Sequence, residues 1–186
     1  MAVTGAAQCI GGEGNGPAAP IAAPGASIAL DGQLDANSPV FNRQNGDCLD
    51  GDFPDRRYQT FAVVNQTGQA QSLTVTGTWN AGDGYVFVYR APFDPAAPTI
   101  GCLSGNDDIA AGNTGASEVT GVPIAPGEVL VIVASTFGAD ADLGPFDIEV
   151  LTEIPAGNGI AAPGQSIALQ GQLDANSPAF NRQTGD

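Results

Sequence analysis

One stretch of this chain is written twice. Residues 21–47 read IAAPGASIALDGQLDANSPVFNRQNGD, and residues 160–186 read IAAPGQSIALQGQLDANSPAFNRQTGD. The offset is 139 residues (160 − 21), and four of the 27 paired positions differ: Ala26/Gln165, Asp31/Gln170, Val40/Ala179 and Asn45/Thr184. A period that long is the length of a domain rather than of one turn of a solenoid. The chain therefore divides into a Gly/Ala/Pro-rich leader or linker (1–20), one complete module (21–154) and a short linker (155–159). Residues 160–186 are then the first part of a second repeat, or a strand for donation. The second copy stops one residue before the position matching Cys48, so a longer parent array is expected. Repetition on this scale favours a structural, adhesive or filament-forming role over a stand-alone enzyme.

Within the module, 26 Gly and 14 Pro in the whole chain punctuate it too often for long helices. Period-two patterning runs between the breaks. Ile28, Leu30 and Leu34 alternate with polar or small residues, and Leu73, Val75 and Trp79 with Ser72, Thr74, Thr76 and Thr78. Tyr58–Val64 reads as a strand, as does Phe146–Val150. Ser117–Val122 is a weaker case. Tyr85, Phe87 and Tyr89 alternate with Val86 and Val88, which predicts a strand covered on both faces. The apolar run Val129–Ala134 predicts a central strand. Turns are expected at Asn65–Gly68, Asn80–Gly84 and Pro126–Gly127. The fold class that follows is all-β: an antiparallel β-sandwich (jelly-roll or Ig-like) of about seven to nine strands.

Charge narrows the partners. Twenty acidic residues face five basic ones, for a formal net charge of −15. Nucleic acid is disfavoured, because phosphate binding needs Lys and Arg. Anionic membrane surfaces are disfavoured for the same reason, and no apolar run is long enough to span a bilayer. The chain has no His and no Lys. Ser-His-Asp and Cys-His triads, Ser-Lys chemistry and Schiff bases are therefore excluded. Paired carboxylates for glycoside hydrolysis remain, but Asp and Glu sit mainly in loops and on outward faces, where solvated charge is the default, so no enzyme activity is expected.

Of the three cysteines, Cys48 and Cys102 lie in the module, in loops between strand-like segments, and Cys9 is left over. A Cys48–Cys102 disulfide is expected, and with it an oxidising, extracellular or cell-surface location.

The stretch DGYVFVYRAPFDPAAPTIGCLSGNDD (83–108) resembles the bacterial pre-peptidase C-terminal domain. SEVTGVPIAPGEVLVIVASTF (117–137) and GPFDIEV from Gly144 continue the resemblance, and the opening strand and Phe41-Asn42-Arg43 fit it. The resemblance covers roughly residues 27–150. It implies a non-catalytic β-sandwich module of secreted and surface proteins, often in tandem. It also implies that Asn106-Asp107-Asp108 ends a strand and that calcium is a possible ligand.

Two Asp clusters are the candidate calcium ligands, because calcium takes six to eight oxygens from carboxylates, amides and carbonyls. One comprises Asp83, Asn106, Asp107 and Asp108. The other is centred on Asp50 and Asp52, with Asp47 and Asp55 beside it. The alternative for the first is turn capping through backbone N–H groups. For the second it is neutralisation by Arg56 and Arg57. Asn65-Gln66-Thr67 is a glycosylation sequon that a hairpin turn also explains. Trp79, Tyr85 and Tyr89 read as core aromatics, with a carbohydrate platform as the alternative.

The function expected is a structural repeat module of an extracellular filament, surface fibre or large adhesin, with copies of itself as partners. Assembly would run through a covalent array, β-strand addition or both, and the assembly strand carries Ile167, Leu169 and Leu173. The alternative is an accessory domain that docks a secreted enzyme onto extracellular matrix or polysaccharide.

Overall fold

In the computed structural model, residues 17–49, 51–138 and 142–155 are described. All belong to the unit Met1–Ala156. They form ten strands and no helix. The strands are β1 (Ala19–Pro20), β2 (Ser27–Leu34), β3 (Val40–Arg43), β4 (Phe53–Val64), β5 (Gln71–Trp79), β6 (Gly84–Arg90), β7 (Cys102–Asn106), β8 (Ala116–Ile124), β9 (Val129–Thr136) and β10 (Gly144–Glu153). One sheet has the order β1-β4-β9-β6-β7, with β3 also paired to β4, and the other has the order β2-β10-β5-β8. Pairing is antiparallel except between β1 and β4. The all-β sandwich read from the sequence is thus the fold observed.

The strand count exceeds the expected seven to nine because three short pieces carry no alternation long enough to read. These are β1, β3 and β7. Cys102, expected in a loop, instead opens β7, where it lies opposite Tyr89 on β6.

Inward-facing side chains of both sheets make one core. Phe61, Val63, Val86, Val88, Leu130, Ile132 and Ala134 come from the six-stranded sheet. They meet Leu30, Leu34, Leu73, Val75, Trp79, Phe146, Ile148 and Val150 from the other. Each of these strands alternates, so one face of each sheet is apolar and the interface excludes water. β9 lies between β4 and β6, as its continuous apolar run predicts. Trp79 stacks on Phe146 at 5.9 Å. Room for its indole comes from Gly77 and Gly84, since a Cβ on either would lie 2.3 or 1.8 Å from the ring.

A second cluster lies on the other face of the six-stranded sheet. It holds Phe41, Tyr58, Tyr85, Phe87, Tyr89 and Val133, with Phe93 and Cys102 packed on it. The expectation that β6 is covered on both faces is met, since Gly84 to Tyr89 are all buried.

Candidate functional site

The loops after β3 and β6 close over this outer aromatic cluster. The Cys48–Cys102 disulfide, with Cα atoms 5.7 Å apart, ties the first of them to β7. The Gly105 N–H donates to the Gly46 carbonyl at 2.9 Å. A Cβ at Gly46 would sit 2.5 Å from the Gly105 carbonyl oxygen, so only glycine permits this approach. The Gln44 amide donates to the Tyr89 hydroxyl at 2.5 Å and to the Pro98 carbonyl. Burial raises the Tyr89 pKa, so the hydroxyl stays protonated at neutral pH.

Arg43 is the most unusual residue here, at 2% exposure. Its guanidinium carbon lies 4.2 Å from the Tyr85 ring centre, 4.5 Å from Phe53 and 5.4 Å from Phe137. One nitrogen donates to the Gln44 carbonyl at 3.2 Å, while Nε is buried without a partner. Burial lowers its pKa, and nearby Tyr85 and Asp107 oppose that effect. The cation is held mainly by π-faces, which tolerate a desolvated guanidinium. Phe41-Asn42-Arg43 entered the sequence reading only through a resemblance. The signal for Arg43 was its repetition at Arg182, together with how few basic residues the chain has.

The first Asp cluster gathers at one end of the β6 and β7 strands. Asp83 precedes β6. Its N–H donates to Asp142 Oδ1 at 3.1 Å, and the Gly138 N–H donates to Asp142 Oδ2 at 2.6 Å. Asp83 Oδ1 is buried with no partner. Burial, then Asp142, Asp108 and Asp107, raise the Asp83 pKa to about 6, against a small opposing effect of Arg43. Asp142 is a member that sequence reasoning missed. Only the acidic sequence around it, Asp140-Ala141-Asp142, hinted at it.

Asp107 accepts from the Asp108 N–H at 2.9 Å, and Asp108 accepts from the Gly112 N–H at 3.2 Å. These two bonds cap the turn after β7. Asn106 works the other way, since its amide donates to the carbonyls of Asp108 and Glu118, both at 2.9 Å. Asp52 is exposed, and Asp50 lies outside the described residues. Arg56 donates to the carbonyls of Phe137 and Pro54. Among the described residues, no group of three or more Cys, Asp or Glu is gathered to hold a metal.

Trp79, Tyr85 and Tyr89 are buried, so no carbohydrate platform forms from them. Asn65 is fully buried, and its amide donates to the carbonyls of Gln69 and Ile124, so the sequon serves as a turn. The assembly residues Ile167, Leu169 and Leu173, and also Cys9, lie outside the described residues. Among the described residues, no helix is long and apolar enough to cross a membrane.

The repeated segment can be located on the fold. Residues 21–47 hold β2, an edge strand on β10, and β3, an edge strand on β4 that ends at Arg43, followed by Gln44 and Gly46. All four positions at which the copies differ (Ala26, Asp31, Val40 and Asn45) are exposed. A scan of family models finds no match to this chain, and a search of curated proteins finds none either.

Proposed function

We propose that the chain is a structural repeat module of an extracellular filament, surface fibre or large adhesin, whose main partners are further copies of itself. One observation carries the reading. The two copies of the 27-residue segment agree at every buried position of the first and differ only where the side chain meets solvent. The second copy has therefore kept the side chains needed to complete a fold of this kind. The Cys48–Cys102 disulfide supports an extracellular location, since such bonds persist in oxidising compartments. The resemblance to pre-peptidase C-terminal modules points the same way. No His- or Lys-dependent catalytic constellation enters the reading, because the chain has neither residue.

Electron microscopy of the purified full chain tests it. Fibres with a regular axial repeat are the expected result. Dispersed monomers that sediment with polysaccharide or matrix protein would overturn it in favour of an accessory binding domain. Among the described residues, the most exposed aromatic side chain is Phe137, at 42%. That is a small platform for such binding.

A further inference from the structure

We infer that residues 160–186 of one copy of the chain take the seat that residues 21–47 hold in another, so that copies join by exchanging the β2–β3 segment. The inference rests on the scaffold reading, in which neighbouring copies are held close together.

The seat lies at the edges of the sandwich. β2 pairs only with β10, and β3 only with β4. Removing both leaves the β4-β9-β6 and β10-β5-β8 ladders intact. The seat is also selective. A Cβ at Gly32 would lie 2.4 Å from the Phe146 ring, so that position must be glycine. Leu30 and Leu34 are buried in the main core. Arg43 fills the cage of three rings, and Gly46 meets the Gly105 carbonyl. The second copy supplies Leu169, Gly171, Leu173, Arg182 and Gly185 at the matching positions.

One difference improves the fit. Asp31 lies directly opposite Asp147 in the β2–β10 pair, and like charges so placed repel. Gln170 replaces that Asp in the second copy and removes the repulsion, worth up to about five-fold in occupancy. The resident segment keeps the advantage of its covalent attachment through the β3–β4 loop and of the Cys48–Cys102 disulfide one residue past Asp47, a tether equivalent to a roughly millimolar local concentration. The copied segment therefore takes the seat only where neighbouring copies are crowded to a comparable local concentration. Other edges suit the copied strand less well. β8 carries Pro123 and a bulge around Gly121, and β7 is five residues long.

The test places cysteines at Ala168 and Glu149 in the full chain, with Cys9→Ser to remove the spare thiol. Ala29, the counterpart of Ala168, faces Glu149 across the β2–β10 pair. Isotopically light and heavy chains are mixed and oxidised at micromolar to millimolar concentration. The expected result is a disulfide-bonded ladder that grows with concentration and contains light–heavy 149–168 bridges. Gly171→Val, which leaves residues 21–155 unchanged, should reduce the ladder at least ten-fold. Free thiols at every concentration, bridges only within single chains, or a ladder indifferent to Gly171→Val would overturn the exchange. Microscopy of the unmodified chain separates the two proposals. Fibres without the ladder leave the scaffold reading standing and remove the exchange, whereas absence of both removes both.

Discussion

The two faces of the six-stranded sheet are buried by different means. The inner face meets another sheet, and its residues are mostly aliphatic: Val63, Val86, Val88, Leu130, Ile132 and Ala134. The outer face is covered by loops, and its residues are mostly aromatic: Phe41, Tyr58, Tyr85, Phe87 and Tyr89. A covering sheet satisfies its own backbone groups through its ladders. A covering loop does not, and its polar groups need individual partners. That is why the outer side carries Gln44 bonded to Tyr89, the Gly46–Gly105 contact, a caged Arg43 and a disulfide. Edge-to-face ring pairs fill the space between, such as Phe41–Tyr58 at 5.2 Å and Tyr58–Phe93 at 5.4 Å. The outer cluster is therefore a set of specific contacts, while the inner core is a continuous apolar layer.

Damage to the two sides should differ in kind. Phe146→Ala on the inner side empties space beside Trp79 and Phe61, and should cost about 3–5 kcal/mol in chemical denaturation. Replacing Cys48 and Cys102 together by Ala opens a closed loop whose ends are 54 residues apart, which should cost about 4 kcal/mol in the chain-entropy model. The first variant should raise hydrogen exchange throughout both sheets. The second should raise it first in the β3–β4 loop and β7, and uniform exchange in both variants would erase the distinction between the faces.

Arg43 offers a finer probe. Arg43→Ala removes the cation from its ring cage and should cost about 2 kcal/mol. Arg43→Met keeps much of the volume without a buried charge, so it should recover most of that loss. Equal losses in the two variants would mean that the charge itself, not the filling of the cage, holds the loop down.

The smallest effect concerns Asp83. Its pKa in the fold is raised to about 6 from an ordinary 3.8, so the folded state favours the protonated form. The associated stability is fully present below pH 3.8 and is lost as pH rises through about 6. Asp83→Asn should therefore raise the melting temperature at pH 7.5 by a few degrees, with the gain vanishing below about pH 4. A gain independent of pH would point to packing instead of charge. The same scans address calcium. Binding at Asp83, Asp107 and Asp108 would make millimolar calcium stabilise the natural chain and not Asp83→Asn. A melting temperature unmoved by calcium and by chelator leaves Asp107 and Asp108 as turn caps.

Legibility followed the same division. The strands of the inner core were readable because each repeats an apolar residue at every second position over several residues, as Leu73, Val75 and Trp79 do. β9 was readable as a central strand from its unbroken apolar run. β1, β3 and β7 are too short to show a period, so their place depends on the strands they pair with. Of the acidic site, Asp83, Asp107 and Asp108 were nominated from loop composition. Asp142 was not, since it reaches Asp83 from a distant loop. Trp79 was correctly weighed as core, because it continues the alternation of β5.

By itself the sequence determined the class of fold, the inward residues of the long strands and the pairing of two of three cysteines. These follow from local periodicity and from the short supply of alternatives. Only the tertiary structure decided the strand order, the second cluster on the outer face, the buried Arg43 and the orphaned oxygen of Asp83. Each of those depends on which distant segments meet. A guanidinium that looks like a surface charge in sequence is buried because three aromatic rings from β4, β6 and the loop after β9 surround it. A carboxylate that looks solvated is shifted because the fold partly buries it and brings three others near it.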